Sequence, residues 1–208
     1  MHALICVVSD SKKGTSSTTG MQRTVETSAL LQHRIKDVVP ARMEAIIKAI
    51  KAKDFDTFAK ITMQDSNQFH AVALDTDPPI FYMNDTSRAI IAVIVEYNRV
   101  SLASGHGVKA AYTFDAGPNA VIYAPEVNMR EIINLIRYYF PQSVPFDDPF
   151  KLFSESGTVT LPEGFNLAVA KKAEVGSISR MIHTRVGDGP RVLNDSEALL
   201  DISGLPSK

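Results

Sequence analysis

The sequence predicts an α/β sandwich in which helices cover one face of an antiparallel sheet. Short apolar runs of strand-like composition, at 3–9, 111–114 and 121–123, are separated by longer segments whose apolar residues recur at helical spacing. The two later runs lie close enough in sequence to form a strand–loop–strand unit. At 208 residues, 45% apolar and 22% charged, the chain is large enough for one sizeable core and reads as one domain.

The elements follow in order. Ala3 to Ser9 reads as a strand and Asp10 to Gly20 as a polar loop. The single cysteine, Cys6, lies within Leu4-Ile5-Cys6-Val7-Val8 and reads as a buried strand thiol. With no second cysteine there is no internal disulfide, which fits a reducing compartment. A helix is expected from about Met21 through His33. A longer one follows from about Pro40 to Lys51, with Met43, Ile46, Ile47 and Ile50 at helical spacing. Asp54 is placed to cap a helix carrying Phe55, Phe58 and Ile61, and Pro78-Pro79 breaks the chain. Asn84 or Asp85 caps another helix, with Ile90, Ile91, Val93, Ile94 and Tyr97. Ser101 to Gly107 reads as a turn before the Ala111–Phe114 strand, and Glu131 to Phe140 as a helix with one broad apolar face. A Pro-rich linker covers residues 141–150 and a tail covers 151–208.

Composition excludes some functions. A net charge of −1 supplies no bulk field for nucleic acid or an anionic membrane surface. No apolar run approaches the roughly 18 residues of a membrane span, and the first residues do not have the pattern of a secretory signal. The last residues, Leu205-Pro206-Ser207-Lys208, are not a terminal Ser-Lys-Leu address, so the expected location is cytoplasmic. The histidines His2, His33, His106 and His183 show no metal-ligand spacing, and no protein-built metal site is expected.

Two segments have the composition of a site. In Ala111 to Val121, AYTFDAGPNAV, alternation through Tyr112, Phe114, Val121 and Tyr123 suits two half-buried strands. Gly117 and Asn119 are residues that tolerate positive φ in the intervening turn. Asp115 then stands at a strand-to-loop junction, where a rigid scaffold holds a carboxylate toward a cleft; the alternative is an Asx-type turn in which it bonds only its own loop. In Ser16-Ser17-Thr18-Thr19-Gly20-Met21, hydroxyls and amides beside a helix start suit phosphate oxygens, although an ordinary cap with a solvated Ser/Thr loop has the same composition.

These segments recur within longer blocks: VVSDSKKGTSSTTGMQRTVETS from Val7 to Ser28, VVPARM from Val38 to Met43, ITMQDSNQFHAVALDTDPPIFYMNDTS from Ile61 to Ser87, and the acid-bearing loop itself. Together, in that order, they resemble the mevalonate diphosphate decarboxylases. ISRMIHTRVGDGPRVLND, Ile178 to Asp195, resembles that family's terminal strand and Gly-rich turn, with the strand near 178–187.

The resemblance implies the ferredoxin-like carboxyl-terminal domain of the GHMP kinase fold, shared with galactokinase, homoserine kinase and mevalonate kinase. It also implies the carboxyl-terminal half of a protein about twice as long, because the family's phosphate-cradling loop for ATP is not in this chain. The family reaction is ATP-dependent conversion of (R)-mevalonate 5-diphosphate to isopentenyl diphosphate, ADP, phosphate and CO₂, within isoprenoid and sterol biosynthesis.

By resemblance Asp115 is the catalytic aspartate. Ser16, Ser17, Thr18, Thr19, Gly20 and Met21 contact the substrate diphosphate, with Thr18 foremost, at a position where bacterial relatives often carry Arg. Ala116, Gly117, Asn119 and His70 line the cleft, while Asp65, Ser66, Asn67 and His70 also read as a packed polar network. ATP and Mg²⁺ belong to the complete enzyme, a homodimer in many relatives, and the chain alone is expected to bind neither and to be inactive. A domain that closes against a missing half is expected to expose apolar surface. Another small-molecule kinase of the superfamily, or a non-catalytic interaction domain, remain the alternatives.

Overall fold

A computed structural model describes residues 1–9, 17–153 and 161–206. Four strands, β1 (His2–Val7), β2 (Ala111–Phe114), β3 (Ala120–Ala124) and β4 (Arg180–Arg185), form an antiparallel sheet in the order β2-β3-β1-β4. With helices between β1 and β2 and between β3 and β4, this is a ferredoxin-like arrangement.

The register explains the core. Leu4 lies opposite Ile122 and Cys6 opposite Ala120, while Tyr112 and Phe114 meet Ile122 and Ala120 from the other side. Side chains alternate between faces along a strand, so these residues share one face. Helices α5 (Asp85–Ala103) and α6 (Glu126–Tyr139) cover that face with Ile90, Val93, Ile94 and Tyr97 from one and Met129, Ile132, Ile133 and Ile136 from the other. Each such side chain contributes about 1.5–3 kcal/mol on burial. Cys6 is fully buried here and its thiol pKa is pushed up to about 12 by burial, which leaves it unreactive.

Helix boundaries depart from expectation for local reasons. The first helix, α1 (Ser17–Thr27), starts four residues before Met21, so Thr18, Thr19 and Gly20 are helical and not part of a polar loop. It ends at Ser28, whose hydroxyl donates to Asp75 (2.7 Å) and accepts from the Leu31 N–H (3.2 Å) to cap a short helix α2 (Ala29–His33). A π-helical turn over Arg34–Val38 then runs into α3 (Val39–Ala52). On α3 only Ala49 is buried; Met43, Ile47 and Ile50, expected to face a core, are exposed. Helix α4 (Phe55–Asp75) is capped by Asp54 and α5 by Asn84, as the sequence indicates. Helix α5 continues through Ala103 because Val100 and Ser101 are buried, and α6 starts at Glu126, one turn early, directly after Pro125.

Two further features complete the frame. Helix α4 lies along the exposed edge of β2, with Ala59 packed on Val108 and Ala111 and the Phe58 ring edge-on to Tyr123. The edge is thereby covered. At the opposite edge the segment after α6 folds onto β1 and β4 through Asp148, which bonds His183 Nδ1 (2.6 Å), and His183 in turn contacts His2 (2.9 Å). Among the described residues no helix is long and apolar enough to cross a membrane.

Candidate active site

Asp115 follows the last residue of β2 and is exposed. The turn after it is closed by backbone, the Gly117 N–H donating to the Asp115 carbonyl (2.7 Å), and Gly117 is buried. Left-handed backbone conformations occur elsewhere among the described residues, at Lys53 and Gly107 for example, and not at Gly117 or Asn119. Asn119 serves through its side chain instead: Oδ1 accepts the N–H groups of Val8 (2.8 Å) and Ser9 (3.1 Å), tying the loop to the exit of β1. The Pro118 carbonyl accepts from the Ser87 hydroxyl (2.8 Å) in the first turn of α5. Ala116 is half-buried between these ties.

The Asp115 carboxylate itself makes no hydrogen bond or ion pair with the described residues. The loop is shaped by the Asp115 backbone and by the Asn119 side chain, so the Asx-type alternative has no bond to support it. A carboxylate exposed at the end of a strand, on a loop anchored to β1, α4 and α5, is free to meet a ligand.

Helix α4 supplies the backing. Ser66 Oγ accepts the Phe114 N–H (3.0 Å), and Asn67 Oδ1 accepts the Tyr112 hydroxyl (3.1 Å). Arg34 grips Asp65 with both terminal nitrogens (2.8 Å each), and Arg42 joins Asp65 (3.0 Å) and Gln68 (2.8 Å). The Arg34 bonds, helped by Arg42, hold the Asp65 carboxyl below the usual range against a cost from burial. Asp65, Ser66 and Asn67 thus behave as a packed polar network. His70 is 5% exposed, its ring edge-on to Phe114, Phe69 and Tyr82.

Burial lowers the His70 pKa from 6.5, with the Phe114 backbone and the Asp115 carboxylate pulling weakly upward. His2 is lowered too, foremost by burial and then by His183, with Glu126 opposing and the amino terminus and Arg185 adding small contributions. Below pH 6.5 the unfolded chain therefore takes up protons on these rings before the folded one does. Stability from their neutral burial is present above pH 6.5 and is lost as pH falls through the folded pKa values. The urea midpoint is expected to drop between pH 7 and pH 5, less so in His70→Phe; a midpoint flat over that interval contradicts the neutral burial of both rings.

Of the Ser/Thr segment, Ser16 lies outside the described residues, and Ser17 is described by its helical backbone alone. Thr18, Thr19 and Met21 are exposed in the first turns of α1. Gly20 is buried and its carbonyl accepts the Thr24 hydroxyl (2.8 Å), which also meets Thr76 (2.9 Å) at the end of α4. His70 backs the acid loop and Thr76 anchors α1, six residues apart on one helix, about 9 Å of rise. Both candidate segments thus have ties to α4. Among the described residues no three His, Cys, Asp or Glu side chains are grouped so as to hold a metal ion.

A ferredoxin-like sheet with helices on one face, carrying an acid-bearing loop at the end of β2, is the carboxyl-terminal domain of the GHMP kinase fold. Residues 3–193 match the mevalonate 5-diphosphate decarboxylase C-terminal domain family, and the chain belongs to that family. It is 67% identical over 207 residues to a diphosphomevalonate decarboxylase of Ganoderma lucidum, covering 99% of this chain and 52% of that protein. The X-ray structure of a mevalonate 5-diphosphate decarboxylase superposes with a TM-score of 0.74 at 43% identity, over 98% of this chain and 51% of the other. A solved chain described as MDDEF in complex with MVAPP, AMPPCP and magnesium gives a TM-score of 0.59 at 29% identity, over 67% of this chain and 41% of its own. The chain spans about half the length of the curated relatives it matches.

Proposed function

We propose that this chain is the substrate-side part of an ATP-dependent decarboxylase that converts (R)-mevalonate 5-diphosphate to isopentenyl diphosphate, with Asp115 as its catalytic residue. One observation carries the reading: in a member of this family, Asp115 is an exposed carboxylate without a partner among the described residues, on a loop anchored from three directions.

The chemistry gives such a group its work. The tertiary 3-hydroxyl is a poor leaving group and is first phosphorylated; loss of that phosphate then draws electrons from the departing carboxylate. Asp115 accepts a hydrogen bond from the 3-hydroxyl and aligns its oxygen for phosphoryl transfer. Thr18 offers an exposed hydroxyl in the first turn of α1, and a helix N-terminus favours an anion; both suit the diphosphate. ATP and its Mg²⁺ come with the other half of the protein. The apolar side chains exposed along α1 to α3, among them Met21, Val25, Ile35 and Met43, offer surface for that half to cover.

The test is ATP-dependent CO₂ release from mevalonate diphosphate by the full-length protein carrying this chain, beside the chain alone. Turnover by the full-length protein is expected, and none by the chain. Failure of the full-length protein with this substrate sinks the assignment. Within that protein, Thr18→Val removes one hydrogen bond to a charged group, about 1.5 kcal/mol or a tenfold rise in KM for mevalonate diphosphate, with kcat little changed. An unchanged KM removes Thr18 from the diphosphate site.

A further inference from the structure

Strand β2 is an edge strand, so the peptide groups on its outer side have no neighbouring strand to pair with. At the last peptide before Asp115, helix α4 takes that place. Ser66 Oγ, 4% exposed, accepts the Phe114 N–H at 3.0 Å. One turn further along α4, the His70 ring lies edge-on to the Phe114 ring, 6.2 Å between centroids. Residues i and i+4 of a helix share a face, so one face of α4 holds Phe114 at its backbone N–H and at its ring.

His70 is also poorly explained as filler. Its Nε2 is buried without a hydrogen-bond partner among the described residues, although the ring sits among Phe69, Tyr82 and Phe114, where an apolar ring fits at no such cost.

We propose that Ser66 and His70 are positioning residues for Asp115: from one face of α4 they fix the residue that precedes it and so the direction in which its carboxylate leaves the sheet. Neither reaches the reacting atoms; both act through the placement of Asp115. The inference rests on the catalytic reading of Asp115 given above.

The experiment uses the full-length enzyme with two variants. Ser66→Ala leaves the Phe114 N–H without its acceptor. His70→Phe keeps the aromatic contacts and removes both ring nitrogens. Each is expected to lower kcat for decarboxylation about 10- to 100-fold, the scale of a displacement of up to 1 Å at a reacting group, while KM for mevalonate diphosphate and for ATP stay within about twofold. The loss is measured on protein shown to be folded by circular dichroism at the assay temperature, so unfolding does not enter it. The double variant Ser66→Ala/His70→Phe is expected to lose less than the product of the two single losses, because both act on one residue.

A kcat within twofold of the parent in both folded variants overturns the inference, as does a loss that falls on KM alone. Asp115→Asn separates the two levels. If that variant is inactive while Ser66→Ala and His70→Phe are fully active, only this inference fails; if Asp115→Asn is itself fully active, the catalytic reading fails first.

Discussion

Asp115→Asn in the full-length protein is expected to lower kcat for decarboxylation by about 10³-fold, within the range that positioned proton-accepting groups supply, and to leave the thermal midpoint within about 1 °C. The two halves of this result have separate causes. Asn keeps the shape of the side chain but turns one acceptor oxygen into a donor that opposes the 3-hydroxyl proton. The fold does not notice, because the carboxylate bonds none of the described residues: the turn is closed by the Asp115 carbonyl, and Asn119 ties it to Val8 and Ser9. Asp115→Glu sharpens the reading. It retains a carboxylate but moves it by one methylene, about 1 Å, for which a loss of about 10²-fold is expected if placement dominates. A loose phosphoryl-transfer transition state lets proton loss lag behind P–O cleavage, which favours placement over basicity. Steady-state CO₂ release with calorimetry on the same samples decides it; an Asn variant with parental kcat removes Asp115 from the chemistry.

What the sequence makes legible and what it hides divide along one physical line. Strand alternation at Ala111–Phe114 and Ala120–Ala124 and the helical spacing of Ile90 to Tyr97 are local patterns with a single reading, and the Asp54 and Asn84 caps bond residues three positions away. The break at Ser28 is different: it depends on Asp75, 47 residues along, and nothing near Ser28 announces that partner. The apolar spacing of α3 is legible too, yet Met43, Ile47 and Ile50 are left exposed, so the pattern misreports their burial. In the candidate site the acid and its junction can be read from residues and family resemblance together. Its supports cannot, because Ser66 and His70 reach Phe114 only once α4 has docked on the edge of β2. Gly117 shows the converse: its composition suggests a left-handed turn, while the structure uses it as a buried residue whose N–H closes the turn on the Asp115 carbonyl.

Asp148→Ala is expected to do the reverse of Asp115→Asn, lowering stability by about 3–5 kcal/mol, because it leaves several buried donors without their acceptor at about 1–3 kcal/mol each. Asp148 lies in a Pro-rich stretch without periodicity, which reads as a linker, yet its side chain is 1% exposed and that of His183 is fully buried. Oδ1 accepts from His183 Nδ1 (2.6 Å) and the Phe150 N–H (3.2 Å), and Oδ2 from the N–H groups of Leu152 (2.7 Å) and Phe153 (3.0 Å). Burial works to raise its pKa, but the His183 bond, the Phe150 and Phe153 N–H groups and the His183 charge outweigh it, and the net direction is down from 3.8. Ala strands four donors at once, and it releases Phe150, whose ring packs edge-on to both His2 and His183 (5.0 and 4.7 Å between centroids). At about 2–4 °C per kcal/mol for a chain of this size, the midpoint falls by roughly 6–20 °C. The pH dependence carries the same sign. Stability from a depressed carboxylate is present above its unfolded pKa, near 3.8, and is lost as pH falls through the lower folded value, so the parent loses more stability below pH 4 than the variant does. Asp148→Asn keeps one acceptor oxygen and should fall between the two. A midpoint in Asp148→Ala within 2 °C of the parent overturns the account. With it stands the contrast between the two acids: the Asp148 carboxylate has its bonds inside the fold, while the Asp115 carboxylate bonds none of the described residues and is the one proposed to set turnover.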